Sequence, residues 1–191
     1  MTELAESLAA VVADSLNVSS VEVRDLVRLS GGASRESWSF DAVHDGAVTE
    51  LILRRAPAAI SDAIGPTMML EAAAMREAAR VGVPSPDVIF ATADKVPLGG
   101  SCIVMTRVAG ESIARKILRD NEYAEARPKL ASQCGEILGR LHTMDQQALP
   151  AMVDGYQLEG LRALRDDSGV ASPRLELALR WLDTHQPPSP R

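Results

Sequence analysis

Three kinds of residue in the first part of the chain could do chemistry on a polyanion. Gly31 and Gly32 lie in the small-residue turn Leu29-Ser30-Gly31-Gly32-Ala33-Ser34-Arg35, where missing side chains let backbone N–H groups approach an anion closely. Arg54 and Arg55 close the apolar run Leu51-Ile52-Leu53. Glu71 follows on a helical face shared with Ala74, Met75 and Ala78. A carboxylate on a packed face is costly unless a cation meets it, and the nearest cations in the pattern are Arg54 and Arg55. Together these are the parts of a nucleotide-phosphate site. Taken singly, each has a plainer reading: a hairpin turn, an arginine reaching solvent, a structural ion pair.

The elements that must position these groups follow from periodicity. Residues 2–16 read as an amphipathic helix with Thr2 as N-cap and Leu4, Leu8, Val11, Val12 and Ser15 on one face. Val21 to Leu29, Glu36 to Val43 and Val48 to Arg55 read as three strands of an antiparallel meander. The last two are joined by His44-Asp45-Gly46, since Asp-Gly is a strong hairpin signal. Pro57 and Pro66 bracket a loop into a helix over 67–80, with Arg76, Glu77 and Arg80 expected on its solvent face and Gly82 ending it. Asp87 to Thr92 and Ser101 to Val108 complete five strands. Ala109-Gly110-Glu111-Ser112 breaks the pattern, and the rest is helical. Leu130, Cys134, Ile137, Leu138 and Leu141 form a seam, a short helix is expected near 158–165, and Ser172-Pro173 opens the last helix. The tail from Gln186 reads as extended linker. The fold class is therefore α+β, with 1–108 as a strand-rich lobe and 109–191 as a helical one.

With 191 residues the chain can bury one sizeable core or two small lobes. A net charge of −6 argues against nucleic acid or an anionic membrane as partner. No apolar run approaches the ~18 residues of a spanning helix, and the acidic start Met1-Thr2-Glu3 is unlike a secretory signal. Cys102 and Cys134 lie inside apolar patterns and read as buried free thiols of a reducing cytosol, so a cytoplasmic location is expected. No His/Cys/Asp/Glu spacing suits a metal, and no nucleophile elbow occurs. His142 reads as a packed or capping residue and His185 as exposed and idle.

A five-stranded sheet with one helix after the third strand, then a hinge and helices, is the order of a protein-kinase-like amino-terminal lobe. Five segments sharpen this: residues 29–38, Leu51 to Pro57, Glu71 with Gly82-Val83-Pro84-Ser85-Pro86, Val104 to Gly110, and Leu138-Gly139-Arg140-Leu141-His142. In this order they resemble the aminoglycoside phosphotransferase (APH) family, in its branch of poorly assigned bacterial phosphotransferases, and the kinase-like domain of some acyl-CoA dehydrogenases. The resemblance implies that Gly31, Gly32, Ala33, Ser34 and Arg35 turn over the phosphates of ATP. It places Arg54 where kinases usually carry the strand lysine, and Glu71 as its partner on a helix equivalent to the kinase αC. It makes Met105 to Val108 the hinge, with the Thr106 carbonyl and Val108 N–H facing the adenine edge. An arginine is always charged and forks toward two oxygens, so it could serve both Glu71 and a phosphate.

The resemblance further implies a kinase that passes the γ-phosphate of ATP to the hydroxyl of a small molecule with the help of Mg2+. The family's His-Gly-Asp segment, which carries the catalytic base and a metal ligand, does not occur in this sequence, nor does its later magnesium aspartate. The chain reads as an amino-terminal fragment holding the nucleotide lobe and part of a helical lobe, without catalytic residues and inactive alone. It is expected to self-associate through uncovered apolar surface. The alternative is a degenerate kinase fold, a nucleotide-binding or interaction module without chemistry.

Overall fold

The structure, a computed structural model, describes residues 2–29, 35–56, 67–94, 97–149, 158–169 and 171–185. The described residues up to 149 form one compact unit and those from 158 a second.

The first unit is built on a five-stranded antiparallel sheet of order β1-β2-β3-β5-β4. Its strands are β1 (Glu22–Arg28), β2 (Glu36–His44), β3 (Ala47–Arg55), β4 (Val88–Thr92) and β5 (Cys102–Thr106). The β2–β3 hairpin is the anchor of the register. Asp45 and Gly46 both take positive φ, 49° and 77°, the conformation a two-residue turn between right-twisted strands requires. From that turn the pairing runs without a break, His44 opposite Ala47 through Glu36 opposite Arg55. β1 is less regular. Its register with β2 shifts between Arg24 and Val27, and Asp25 lies at φ 52°. The slip re-phases the apolar positions, from Val21 and Val23 to Leu26, and leaves Val27 exposed.

The sheet buries both faces against helices. Leu8 and Val12 of α1 (Thr2–Leu16) pack with Phe40, Ala42, Leu51, Leu53, Leu98, Cys102 and Val104. Met68 and Ala72 of α2 (Met68–Arg80) pack with Ile103 and Met105, flanked by Ile52, Met75, Val88 and Ala91. Each fully buried leucine, methionine or phenylalanine contributes about 1.5–3 kcal/mol of transfer free energy. Strand alternation divides β3 between these clusters: Leu51, Leu53 and Arg55 point one way, Ile52 and Arg54 the other.

Three expectations about the first unit need correction. Glu77 is not on the solvent face of α2; it is 6% exposed, because its carboxylate finds partners in a segment 68 residues further on. Cys134 is not buried but exposed, since no side chain of α4 (Arg127–Leu141) is buried and Leu138 on the same seam is 56% exposed. Ser15 is exposed too, its hydroxyl turned back onto the Val11 carbonyl. α3 (Ala114–Arg119) precedes α4. Cys102 is buried as expected, and burial pushes its thiol up to about 11 despite the opposing Arg55 charge.

The second unit contains α5 (Leu158–Ser168) and α6 (Pro173–Thr184). Ser172 caps α6 through the Leu175 N–H, ahead of Pro173 in the first turn. Glu176 joins Arg165 and Arg180. His185 is not idle, for its ring stacks on Trp181 at 4.3 Å between centroids. Among the described residues no helix is long and apolar enough to cross a membrane, and no group of three His, Cys, Asp or Glu could hold a metal ion.

Candidate functional site

β3 ends in two arginines that must diverge, because successive side chains leave a strand on opposite faces. Arg54 faces α2 and meets Glu71, its Nη1 lying 2.7 Å from Glu71 Oε1. The Arg54 side chain is 38% exposed and that of Glu71 18%. Two devices bring Glu71 there. Thr67 caps the helix by accepting the Leu70 N–H, and Met68 and Ala72 seat it against Ile103 and Met105. The first turn of a helix also favours a carboxylate through the helix dipole.

Arg55 faces the other way. It donates to Glu36 from Nη2 at 2.6 Å and from Nε at 3.2 Å, and to the Leu98 carbonyl at 2.8 Å. Glu36 also pairs with Arg28 at 3.1 Å. The Arg55 guanidinium, with Arg28 behind it, holds the Glu36 carboxyl below its ordinary value. Of the two candidate partners for Glu71, the geometry selects Arg54.

Gly31, Gly32, Ala33 and Ser34 lie outside the described residues. The strands on either side of them are described, and the Leu29 N–H donates to the Ser37 carbonyl at 2.9 Å. Ser37 stands opposite Arg54 in the β2–β3 register, so the glycine segment departs from the end of the sheet that carries the Arg54–Glu71 pair. Arg35, half-buried, leads into β2.

Of the residues expected to form a hinge, Met105 is buried in the α2-side cluster, directly opposite Ile52. Thr106 ends β5; its N–H donates to the Asp87 carbonyl and its hydroxyl accepts the Asp87 N–H. Val108, two residues beyond the strand, is 69% exposed. Met105 and Arg54 thus share a sheet face, two positions apart along the β3–β5 ladder, with Thr106 and Val108 at its open end.

The sequence reading missed a second charged cluster on this face. The Arg107 guanidinium donates to the Ser39 hydroxyl at 2.7 Å and to the Glu50 carboxylate, and approaches Asp41 Oδ1 at 3.1 Å. That buried Asp41 oxygen lies off the N–H axis and accepts no hydrogen bond among the described residues. The cluster was findable. A hairpin pivoting on Asp45-Gly46 sets Asp41 opposite Glu50, and opposed like charges call for a cation. Glu50 and Asp41 in turn raise the Arg107 pKa, chiefly through the Glu50 hydrogen bond.

A guanidinium oriented by one carboxylate and partly open to solvent can bind the oxygens of a phosphate chain. A family model described as "Phosphotransferase enzyme family" (APH) matches residues 25–191. No curated protein matches the chain. Among solved structures the fold is similar to the crystal structure of a "putative aminoglycoside phosphotransferase" from Ralstonia eutropha JMP134, with 20% identity and a TM-score of 0.59. The match covers 95% of this chain and 53% of that one, so the chain spans about half the length of that relative.

Proposed function

The chain belongs to the phosphotransferase enzyme family, APH, and on that premise we propose that it is the ATP-binding part of a small-molecule kinase that phosphorylates a substrate hydroxyl. The observation that carries the proposal is the 2.7 Å Arg54–Glu71 pair at the sheet end from which the glycine segment departs. Among the described residues Arg54 meets only Glu71, which leaves other N–H groups of the guanidinium for phosphate oxygens. Gly31 to Arg35 would cover the phosphates, and Met105, Thr106 and Val108 would border the base. Magnesium is the metal such a transfer uses, and among the described residues no group of three His, Cys, Asp or Glu could hold it. Position and charge are what this chain contributes to catalysis; the sequence holds no His-Gly-Asp, so residues 1–191 alone bind without transferring. The proposed lobe boundary remains 108/109, after the last strand. Exposed Ile113, Leu118 and Leu138 support the proposed self-association.

Isothermal titration with ATP, and with inorganic tripolyphosphate as a probe of the phosphate end alone, tests the reading. Arg54→Met should weaken both by about ten-fold or more, the scale of a lost charged hydrogen bond, with the variant still folded. Equal affinity of Arg54→Met and the parent chain, or no binding by the parent, would overturn it.

A further inference from the structure

Glu77 is the only buried charged residue among those described. Its carboxylate accepts the Arg80 Nε at 2.7 Å, the Arg80 Nη2 at 2.6 Å and the Asp145 backbone N–H at 2.7 Å. Those hydrogen bonds hold the carboxyl down at about 2, Arg80 contributing most. The Asp145 contact crosses from α2 to the turn that follows α4. A second contact crosses in the other direction: Arg140, in the last turn of α4, donates to the carbonyl of Gly82, where α2 has ended at φ 77°.

The two ends of α2 are therefore seated differently. Its first half rests on apolar contacts, Met68 and Ala72 against Ile103 and Met105. Its last turn buries only the small Ala78 beside Glu77 and is tied by polar contacts to a helix that buries no side chain of its own. Glu71 lies six residues before Glu77, roughly 9 Å along the helix axis. A tilt that moved Glu71 away by about an ångström would stretch its 2.7 Å ion pair with Arg54 by about a third and weaken it accordingly.

We propose that Glu77 and Arg140 are positioning residues: they moor the last turn of α2 to the end of α4 and so fix where Glu71 meets Arg54. The inference rests on the nucleotide reading above. A carboxylate is required at 77 because three donors converge on it. A glutamine has the same shape but turns a donor toward donors, so Glu77→Gln loosens the mooring without emptying the site.

The test is a double-mutant cycle read by ATP titration on the whole chain, at a temperature where every variant is folded by circular dichroism. Glu77→Gln should weaken ATP about five-fold, and Arg140→Met should act in the same direction. In the Arg54→Met background, Glu77→Gln should add nothing beyond about two-fold, because its effect passes through the Arg54–Glu71 pair. A merely structural Glu77 would lower the melting temperature and leave ATP affinity unchanged. Unchanged affinity, or factors that multiply in the double variant, would overturn the proposal. A nucleotide-free readout separates the two readings: slowed solvent exchange of the Arg54 guanidinium protons by NMR, expected in the parent and lost in Glu71→Gln and Glu77→Gln alike. If that holds while ATP fails to bind, the nucleotide reading falls and the mooring stands. If exchange is the same in Glu77→Gln and the parent, the mooring falls. Should Glu77→Gln not fold, Arg140→Met is read in its place by the same two criteria.

Discussion

Arg54 and Arg55 leave β3 toward opposite faces, and their surroundings differ in kind. Arg55 is 20% exposed, lies against a loop and spends its donors on Glu36 twice and on the Leu98 carbonyl. Gly99 and Gly100 let that loop come down on it: a Cβ at Gly99 would sit 3.3 Å from Arg55 Nη1, and one at Gly100 would collide with the Ala56 carbonyl oxygen. Arg54 is 38% exposed and meets one carboxylate among the described residues. A guanidinium whose donors are used up holds structure in place. One with donors to spare can hold a ligand. The same residue type, one position along the strand, is thus assigned to two tasks by the pleat alone.

The contrast can be broken at several points. The largest effect is expected from Gly100→Ala, which drives a methyl group into the Ala56 carbonyl over the Arg55 corner. A loss of about 3 kcal/mol should lower the melting temperature on the order of 10 °C, and an unchanged thermogram would show that the loop gives way freely. Arg55→Met comes next, at about 2 kcal/mol in urea unfolding, as expected for a half-buried pair left with one partner. Its ATP affinity should stay near that of the parent, and a large drop would mean that this corner also serves the ligand. Arg54→Met should reverse the pattern. It should cost under about 1 kcal/mol of stability, since its pair is partly exposed, against the loss of ATP affinity given above. A stability loss equal to that of Arg55→Met would erase the distinction.

The smallest effect is a pH dependence on the structural side. The Glu36 carboxyl is held below its ordinary value by Arg55, so the stability it contributes is present above that ordinary value and is lost as pH falls through the lowered folded value. The stability gap between the parent and Glu36→Gln, followed by urea midpoints, should be full at pH 7 and close progressively below about pH 4.5. A gap that widens on acidification would contradict the sign.

How much of this was legible beforehand depended on range. The hairpin could be read from Asp45-Gly46 and the alternation around it, because both signals are local; so could the Thr67 start and Gly82 end of α2. The choice of Arg54 over Arg55 as the partner of Glu71 needed the sheet faces, and from the residues alone it stayed open. Glu77 was misread because its helical spacing said solvent, while its burial comes from the Asp145 N–H, which no pattern within the helix announces. Cys134 failed for the converse reason: an apolar seam shows that a helix has a face to cover, not that anything covers it. The Arg107 cluster lay between, implied by hairpin register yet visible only once Asp41 and Glu50 are counted across the turn.

Cys102 sits at 0% exposure at the start of β5, opposite Arg55 of β3 and Thr92 of β4, on the sheet face covered by Leu8 and Val12 of α1. Its sulfur can meet a maleimide or a disulfide reagent only when that core opens, whereas Cys134 reacts at the surface from the outset. With Cys134 replaced by serine, the alkylation rate of the remaining thiol becomes a stopwatch for the opening of the core, started by mixing and read by mass. Any ligand that holds this unit closed should slow that stopwatch, whether or not a phosphate is ever transferred.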